Sequence, residues 1–355
     1  MFPRMSITPA DATGEQRALL ATAQTGDEEA FRRLLEPHRR ELHAHCYRML
    51  GSVHDAEDAL QDALLRAWRG LPGFEGRSSL RAWLYRIATN ACLNAMERRP
   101  ARHLPVAYLP ASDWDDDEPP LVESVWLEPY PDAQLGLADG RTAPSARYEQ
   151  RESVELAFVA ALQLLPPGQR AVLVMREVLG FSAREVAESL GTTVASVNSA
   201  LQRARKAIAE RLPAQSQQAT LRGLGEGELQ AIAEGYADAM ERGDVAAVVA
   251  MLTEDATWSM PPWACWYSGR EAITGFLRDN ALAHQWRHVV TRANGQLAVG
   301  CYSLNAERSA YVFEVLDVLD LRGGHIAAVT GFVTADLYAS FGLPAELPLA
   351  GPQAP

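Results

Sequence analysis

Hydrophobic positions recur with helical spacing in two separate parts of the chain, residues 15–100 and 152–213. In the first part, glycine and proline interrupt the pattern at Gly51 and at 71–76, which predicts three or four helices. The second part predicts a compact block of four helices. The intervening segment, 101–151, is acidic and rich in proline, which is typical of a linker.

After a second polar linker at 214–225, the pattern changes from purely helical to mixed. The next residues predict two helices, a strand near 256–260 and a further helix at about 270–282. Four β-rich runs follow, at about 286–294, 296–304, 310–322 and 325–333. This order predicts an α+β domain over 226–345. The two ends of the chain are a flexible N-terminus at 1–14 and a tail at 346–355.

The net charge of −12 is distributed unevenly along the 355 residues. Counting Lys and Arg against Asp and Glu gives +1 for 1–100, −7 for 101–150, +2 for 151–213 and −8 for 214–355. The two helical parts are therefore nearly neutral and contain clusters of arginine, while the linker and the last domain are acidic. An acidic total consequently does not exclude nucleic acid as a partner.

The cysteines and the apolar runs limit the cellular setting. The four cysteines lie at least 36 residues apart and form no CxxC pair, which is evidence against a disulfide framework or a cysteine-rich zinc site. No run approaches the roughly 18 continuous apolar residues of a membrane helix, and the first residues lack a signal-peptide core. We predict a cytoplasmic protein with no membrane partner, no cofactor, no metal and no catalytic residue.

The strongest local signal lies at 181–208 and predicts a helix-turn-helix. Ser182 is placed to cap the first helix, with Glu185 completing a capping box, and Gly191 supplies the turn before a helix that restarts near Val194. The buried stripe of that second helix is predicted to be Val197, Leu201, Ala204 and Ile208. The opposite face carries Ser196, Ser199, Gln202, Arg203 and Lys206. Short polar groups followed by cations suit a recognition helix in the major groove, the alternative being a helical hairpin with a solvated basic face.

In the first helical part, residues 55–68 predict a helix whose outward face carries Asp58, Gln61 and Asp62. An acidic face is unsuited to phosphate and suits a basic protein surface. A loop with an exposed Phe74 follows, and Ser79 is the expected N-cap of the next helix.

One margin of that next helix combines stacking, cationic and amide groups. It carries Trp83, Arg86, Asn90 and Asn94. Such a mixture can hold unstacked single-stranded bases, although Trp83 is equally well interpreted as a core aromatic.

These motifs together resemble an extracytoplasmic-function sigma factor of bacterial RNA polymerase. The resemblance rests on DAEDALQDALLRAW, FEGRSSLRAWLYRIATNACLNAMERR and LLPPGQRAVLVMREVLGFSAREVAESLGTTVASVNSALQRARKAI, in this order. It implies a region 2 domain at 15–100 and a region 4 domain at 152–213. The implied partners are core RNA polymerase and promoter DNA.

The resemblance also implies a role for particular residues. Polymerase binding falls to Asp58, Gln61 and Asp62. Contacts with the minus-ten element fall to Phe74, Arg77, Ser79, Trp83, Arg86, Asn90 and Asn94. Contacts with the minus-35 element fall to Arg176, Ser196, Asn198, Ser199, Gln202, Arg203 and Lys206.

The last third, from EGELQAIAEGYADAMERGDVAAVVAMLTEDATWSMPPW through SGREAITGFL, resembles a SnoaL-like domain of the cone-shaped NTF2 fold. With WLEPYPD in the linker, the whole chain is most similar to the sigma-G type, related to the sigma-J type. That likeness implies that the last domain modulates the sigma core within the same chain. Trp126, Leu127 and Tyr130 are the candidate contacts of this regulatory linker, because apolar residues in an acidic linker require a partner surface.

Three function classes remain open at this point: a sigma factor, a one-component helix-turn-helix regulator with a ligand-binding domain, and a SnoaL-like cyclase or isomerase fused to DNA-binding helices. The acid and base candidates for an enzyme are Asp255, His284, His288, Asp317 and Asp320. A small molecule is a candidate ligand of the last domain. The first helical part favours the sigma factor, since neither of the other classes needs a second DNA-binding domain.

Overall fold

The computed structural model describes residues 14–107, 109–112, 126–135, 150–307, 309–334 and 337–349. The chain divides into two compact units. The first comprises 1–102 and 134–212, and the second comprises 103–133 and 213–355. Apart from Gly14, the expected flexible N-terminus lies outside the described residues, as do the last residues of the tail.

The first part of unit 1 contains four helices. They are α1 (Gly14–Gln24), α2 (Glu28–Leu50), α3 (Val53–Gly70) and α4 (Leu80–Met96). Three of them begin at a side-chain cap, because Asp27, Ser52 and the predicted Ser79 each accept a hydrogen bond from a backbone N–H of the first turn. Capping fixes where each helix begins, and the buried apolar stripes of α3 and α4 leave the opposite faces pointing outward.

The second part of unit 1 contains the helix-turn-helix. Its helices are α5 (Leu156–Gln163), α6 (Pro167–Leu173), α7 (Ala183–Leu190) and α8 (Val194–Ala209), with a π-helical turn at Val174–Val178. The capping box of Ser182 and Glu185 is present, and Gly191 ends α7 in the left-handed conformation at φ 62°. The predicted turn chemistry is therefore confirmed.

Buried polar groups join the two parts of unit 1. Arg48 of α2 donates to the hydroxyl of Ser153 at 2.7 Å, and Gln163 donates to the carbonyl of Arg48 at 3.2 Å. Arg170 of α6 donates to the Met49 carbonyl and, at 2.5 Å, to the side chain of Gln163. These residues are at most 4% exposed, so the interface excludes water, and most of its polar atoms pair with one another while Nε of Arg170 has no hydrogen-bond partner among the described residues.

Aromatic side chains extend the same interface. Tyr85 of α4 packs edge-on against Phe181, with ring centroids 5.4 Å apart. The guanidinium of Arg81 lies 5.0 Å from the centre of the Phe181 ring. The two helical parts are thus packed together in one unit.

Unit 2 is an α+β domain. Its helices are α9 (Gln217–Leu224), α10 (Glu226–Glu241), α11 (Val245–Ala250) and α12 (Gly269–Asp279). Its strands are β1 (Leu252–Ser259), β2 (Trp266–Ser268), β3 (Trp286–Ala293), β4 (Gln296–Leu304), β5 (Ala310–Arg322), β6 (His325–Val333) and β7 (Glu346–Pro348). The sheet order is β2-β1-β6-β5-β4-β3, with β7 paired to β5 and with β1 and β6 parallel. The core lies between this sheet and the helices.

The polar stretch expected to be a linker at 214–225 forms α9 instead. Gln217 exchanges two hydrogen bonds with the backbone of Leu321, at 2.9 and 2.8 Å, and Gln218 donates to the Gly295 carbonyl at 2.7 Å. A glutamine side chain has both a donor and an acceptor, so it can pair with backbone groups at the edge of a sheet much as another strand would. For this reason the polar residues of this stretch are buried. No helix in the described part of the chain has the length and apolar character needed to cross a membrane.

Candidate functional site

The outward face of α3 is polar and lies open. Asp58 and Gln61 are exposed, and the side chain of Asp62 is 48% exposed. Asp62 pairs with Arg66 one turn later at 2.7 Å, and Asp58 lies 3.7 Å from Arg99. Such exposed pairs contribute little to stability, so these carboxylates are available to a partner.

Leu65 also belongs to this surface and was missed by the sequence analysis. It lies four residues after Gln61 and three after Asp62 and is 56% exposed. Burying this apolar side chain against a partner surface would be favourable. Its spacing from Gln61 and Asp62 places it on the same helix face and was the signal that could have identified it. We call Asp58, Gln61, Asp62 and Leu65 the α3 face.

The loop before α4 differs from the expectation in one respect. Phe74, expected to be exposed, is half-buried against Trp83, with ring centroids 5.1 Å apart. Gln24 of α1 donates to the Phe74 carbonyl at 2.8 Å and so fixes the loop from outside the recognised motif. The glycines on either side suggested an open loop, but the apolar cluster formed by α1 and α2 offers Phe74 a place to pack.

The other residues assigned to the minus-ten element lie at this end of α4 and along it. Arg77, Ser79, Arg86 and Asn94 are exposed, and Trp83 and Asn90 are half-buried. The hydroxyl of Ser79 accepts from the amide of Ala82 at 3.1 Å. Ser79 therefore has a structural role whatever else it contacts.

The open face of α8 carries the residues predicted for it. The stripe of Val197, Leu201, Ala204 and Ile208 is buried. Six side chains are exposed: Ser196, Asn198, Ser199, Gln202, Arg203 and Lys206. Arg176 differs from them, because it is half-buried and donates to the carbonyl of Phe181.

In unit 2, the linker segment 126–132 lies against the C-terminal domain. Trp126, Leu127 and Tyr130 are at most 6% exposed. The amide of Tyr130 donates to the side chain of Asn294 at 2.7 Å, and the amide of Asn294 donates back to the carbonyl of Tyr130 at 2.8 Å. Asp132 accepts from the amide of Gly295 at 2.7 Å. The segment is thus held at the β3–β4 turn.

A second stretch of the linker is held at β2. The amide of Ser112 donates to the carbonyl of Trp266 at 2.8 Å. The indole of Trp266 donates to the carbonyl of Leu109 at 2.8 Å. Two separate stretches of the linker are therefore fastened to one domain.

The C-terminal domain also contains a cavity of about 270 Å³. Aromatic and sulfur-containing side chains form much of its wall, and the polar residues Asn280, His284, His288, Glu314 and Asp317 line it as well. Of the five acid and base candidates, three therefore meet at this cavity. Asp255 instead pairs with Arg322, and Asp320 accepts from Gln296 at 2.6 Å.

Asp317 is held at the cavity by two donors. It accepts from the hydroxyl of Tyr236 at 2.8 Å and from the thiol of Cys301 at 3.3 Å. Burial raises the pKa of Asp317 to about 6, although both hydrogen bonds favour the charged form. A side chain at Gly331 would come within 2.8 Å of the carboxylate, so glycine there leaves it room.

Family models match the same three parts of the chain. Sigma-70 region 2 matches residues 34–101, Sigma-70 region 4 matches 155–208 and the SnoaL-like domain matches 233–329. The first two cover the α3 face and the open face of α8. They also cover the residues along one margin of α4, which we call the α4 row: Trp83, Arg86, Asn90 and Asn94. The third covers the cavity apart from Val333.

Curated relatives and a solved structure agree with these matches. The chain is 43% identical over 316 residues to the extracytoplasmic-function RNA polymerase sigma factor SigG of Mycobacterium tuberculosis, covering 88% of this chain and 83% of the relative. It is 30% identical over 189 residues to SigW of Bacillus subtilis, covering 53% and 91%. The crystal structure of the Mycobacterium tuberculosis sigma factor SigJ aligns with a TM-score of 0.54 at 20% identity, over 86% of this chain and 97% of that one, and shows the same fold. The chain therefore belongs to the extracytoplasmic-function sigma factors, which direct bacterial RNA polymerase to promoters and are not enzymes, and it carries a SnoaL-like domain after its two sigma domains.

Proposed function

We propose that this cytoplasmic sigma factor binds core RNA polymerase through the α3 face. The α4 row and its preceding loop contact the minus-ten element, and the open face of α8 reads the minus-35 element. The exposure of these side chains supports the assignment, since nearly all of them can be reached without unfolding any element. Arg176 supports the helix-turn-helix from behind through the Phe181 carbonyl.

We further propose that the C-terminal domain restrains initiation by holding the linker between the two sigma domains. The carrying observation is the pair of hydrogen bonds between Tyr130 and Asn294, with Tyr130 fully buried. This contact matters because the segment that it holds connects the two sigma domains. A linker fastened to one domain cannot extend freely between the two sigma domains that it joins.

Simple geometry explains why extension matters. A folded unit of roughly 180 residues has a radius of gyration of about 16 Å. The minus-ten and minus-35 elements lie about 25 base pairs apart, which on B-DNA is a distance of about 80 Å at about 34 Å per helical turn. The two packed sigma domains must therefore separate before both elements are engaged. Fully extended, the linker at 101–151 could span on the order of 150 Å, whereas fastening shortens its reach.

Promoter-dependent run-off transcription with core RNA polymerase tests the restraint in the full-length chain. Tyr130→Ala removes the buried ring and should raise the yield several-fold. Tyr130→Phe keeps the buried ring and loses only the hydroxyl, so it should retain most of the restraint and give a yield closer to the wild type than to Tyr130→Ala. Equal yields from all three proteins would contradict the restraint, and a lower yield from Tyr130→Ala would show that the contact activates instead.

A further inference from the structure

The cavity of the C-terminal domain contains polar atoms that nothing in the fold explains. Both ring nitrogens of His288 are buried without a hydrogen-bond partner, and the side chain is 0% exposed. The indole nitrogen of Trp258, a residue 2% exposed, is likewise buried without a partner. Both residues line the cavity. A buried polar atom without a partner costs about 1–3 kcal/mol, so a fold selected for stability alone would not keep them.

The chemistry of these atoms limits what could satisfy them. Burial, reinforced by the charge of Arg287, lowers the pKa of His288 to about 4, so the ring is neutral at pH 7. A neutral imidazole offers one donor and one acceptor, and an indole offers one donor. The carboxylate of Glu241 lies 3.9 Å from Nδ1 of this ring and accepts instead from the backbone amide of His288 at 2.8 Å. The N–H groups of His288 and Trp258 therefore require an oxygen that accepts a hydrogen bond. A hydroxyl oxygen could in addition donate to the other ring nitrogen of His288.

The rest of the wall sets the size and polarity of the occupant. Tryptophan, phenylalanine and methionine side chains form much of it: Met240, Trp258, Met260, Trp263, Phe276 and Trp286. An apolar cavity of about 150 Å³ is large enough for benzene, and this one measures about 270 Å³. This volume lies near the lower limit of small-molecule sites and is large enough for a bicyclic aromatic framework.

An organic cation is the competing occupant, because aromatic faces and the carboxylates of Asp317 and Glu314 could attract one. The details disfavour it. Asp317 already accepts from Tyr236 and Cys301, and Glu314 is exposed to water. A cation would also leave the donor of Trp258 unmatched, since an ammonium group has no acceptor.

We propose that this cavity binds an uncharged, largely aromatic small molecule carrying a hydroxyl or carbonyl oxygen, which bonds to His288. The inference rests on the C-terminal domain alone. It would stand even if the linker did not restrain initiation.

Calorimetric titration of the full-length protein with three probes tests the proposal. The probes are 2-naphthol, 2-methylnaphthalene, which has the same framework without oxygen, and the positively charged 2-naphthylmethylamine. We expect 2-naphthol to bind about fivefold or more tightly than either of the others, as one hydrogen bond requires. Equal binding of 2-naphthol and 2-methylnaphthalene, preference for the amine, or no binding of any probe would overturn the proposal.

His288→Phe sharpens the test, because it keeps the ring and removes both nitrogens. It should weaken 2-naphthol about fivefold, leave 2-methylnaphthalene unchanged and keep or raise the midpoint of thermal unfolding, since it removes two unmatched buried atoms. His325→Phe, at an exposed histidine of the same domain, is the matched control and should change neither affinity. Unchanged binding of 2-naphthol to His288→Phe would overturn the role of His288.

If His288→Phe does not fold, Val333→Phe provides the second test. Val333 lines the cavity without contributing a polar side chain. The larger side chain should reduce binding of every probe. Undiminished binding would place the ligand elsewhere and contradict the proposal.

Discussion

The proposed recognition surfaces of the helical unit and the cavity of the C-terminal domain use polar side chains in opposite ways. On α3 and α8 these side chains are exposed, and the packing stripe on the other side of each helix stabilises the fold without them. In the cavity, His288 and Asp317 are buried, and their burial shifts both pKa values. Binding and stability should therefore be separable at the surfaces and coupled at the cavity.

The largest effect is expected at the α3 face. Asp62→Arg would place a cation against the basic partner surface that this face suits, and like charges at an interface cost several kcal/mol. Binding to core RNA polymerase should fall more than tenfold while the thermal midpoint stays unchanged, because Asp62 is 48% exposed.

Co-purification with core enzyme and a fluorescence binding titration measure this loss. Glu234→Arg on α10, which is also exposed, makes the same charge change outside the sigma domains. Wild-type affinity in Asp62→Arg would remove α3 from the interface.

At the cavity, we expect instead that the free energy of unfolding depends on pH. The pKa of Asp317 is about 6 in the folded domain against its usual 3.8, so between these values the folded protein holds a proton that the unfolded chain has lost. The stability from this group is fully present below about pH 4 and is lost as pH rises through 6. Asp317→Asn removes that dependence, and its stability relative to the wild type should rise by on the order of 2–3 kcal/mol from pH 4 to 7.

Urea unfolding of the full-length chain at several pH values measures this difference, followed by a signal from the C-terminal domain. The exposed Asp279→Asn is the control and should run parallel to the wild type. Parallel curves for Asp317→Asn as well would mean that its carboxyl group is not buried as described.

Two exposed residues of α8 should separate sequence preference from general affinity. Gln202→Ala should alter preference within the minus-35 element by about 1–3 kcal/mol at one base pair. Lys206→Ala should weaken all sequences alike and reduce the salt-dependence slope by about one. Binding-site selection and salt titrations distinguish the two, and interchangeable behaviour would contradict the orientation of α8 proposed above.

The smallest effect concerns the exposed residue that caps α8. Thr193 caps α8 by accepting from the amide of Ser196 at 3.1 Å. Thr193→Ala should cost about 1 kcal/mol of stability and should leave base preference unchanged. Thr193→Ser keeps the hydroxyl and serves as the control in thermal unfolding. A changed base preference in Thr193→Ala would show that this cap also takes part in recognition.

Sequence patterns predicted correctly those features of the fold that depend on residues close together in the chain. The stripe on α8 and the capping box of Ser182 depend on spacing within two turns, and both are confirmed. The strands from β3 to β6 also match the predicted runs to within one residue. Periodicity and caps act between near neighbours, so a single sequence displays them.

Features that depend on distant residues could not be predicted. The partner of Tyr130 is Asn294, 164 positions away, and Gln24 fixes a loop 50 positions away. The three-residue strands β2 and β7 are too short to give a pattern. The sequence suggested that Trp126 and Tyr130 pack against something, and only the folded sheet supplies the surface.

The separation of the two sigma domains is the most direct measure of the central claim, that fastening the linker keeps them together. Spin labels at Arg69→Cys and Glu210→Cys, both exposed and outside the proposed binding residues, report this distance by pulsed electron resonance. The four native cysteines are buried and should not be labelled. In the free protein we expect one short distance for the wild type and for Tyr130→Phe, and an added population at longer distances for Tyr130→Ala. An identical short distance in all three would contradict the claim.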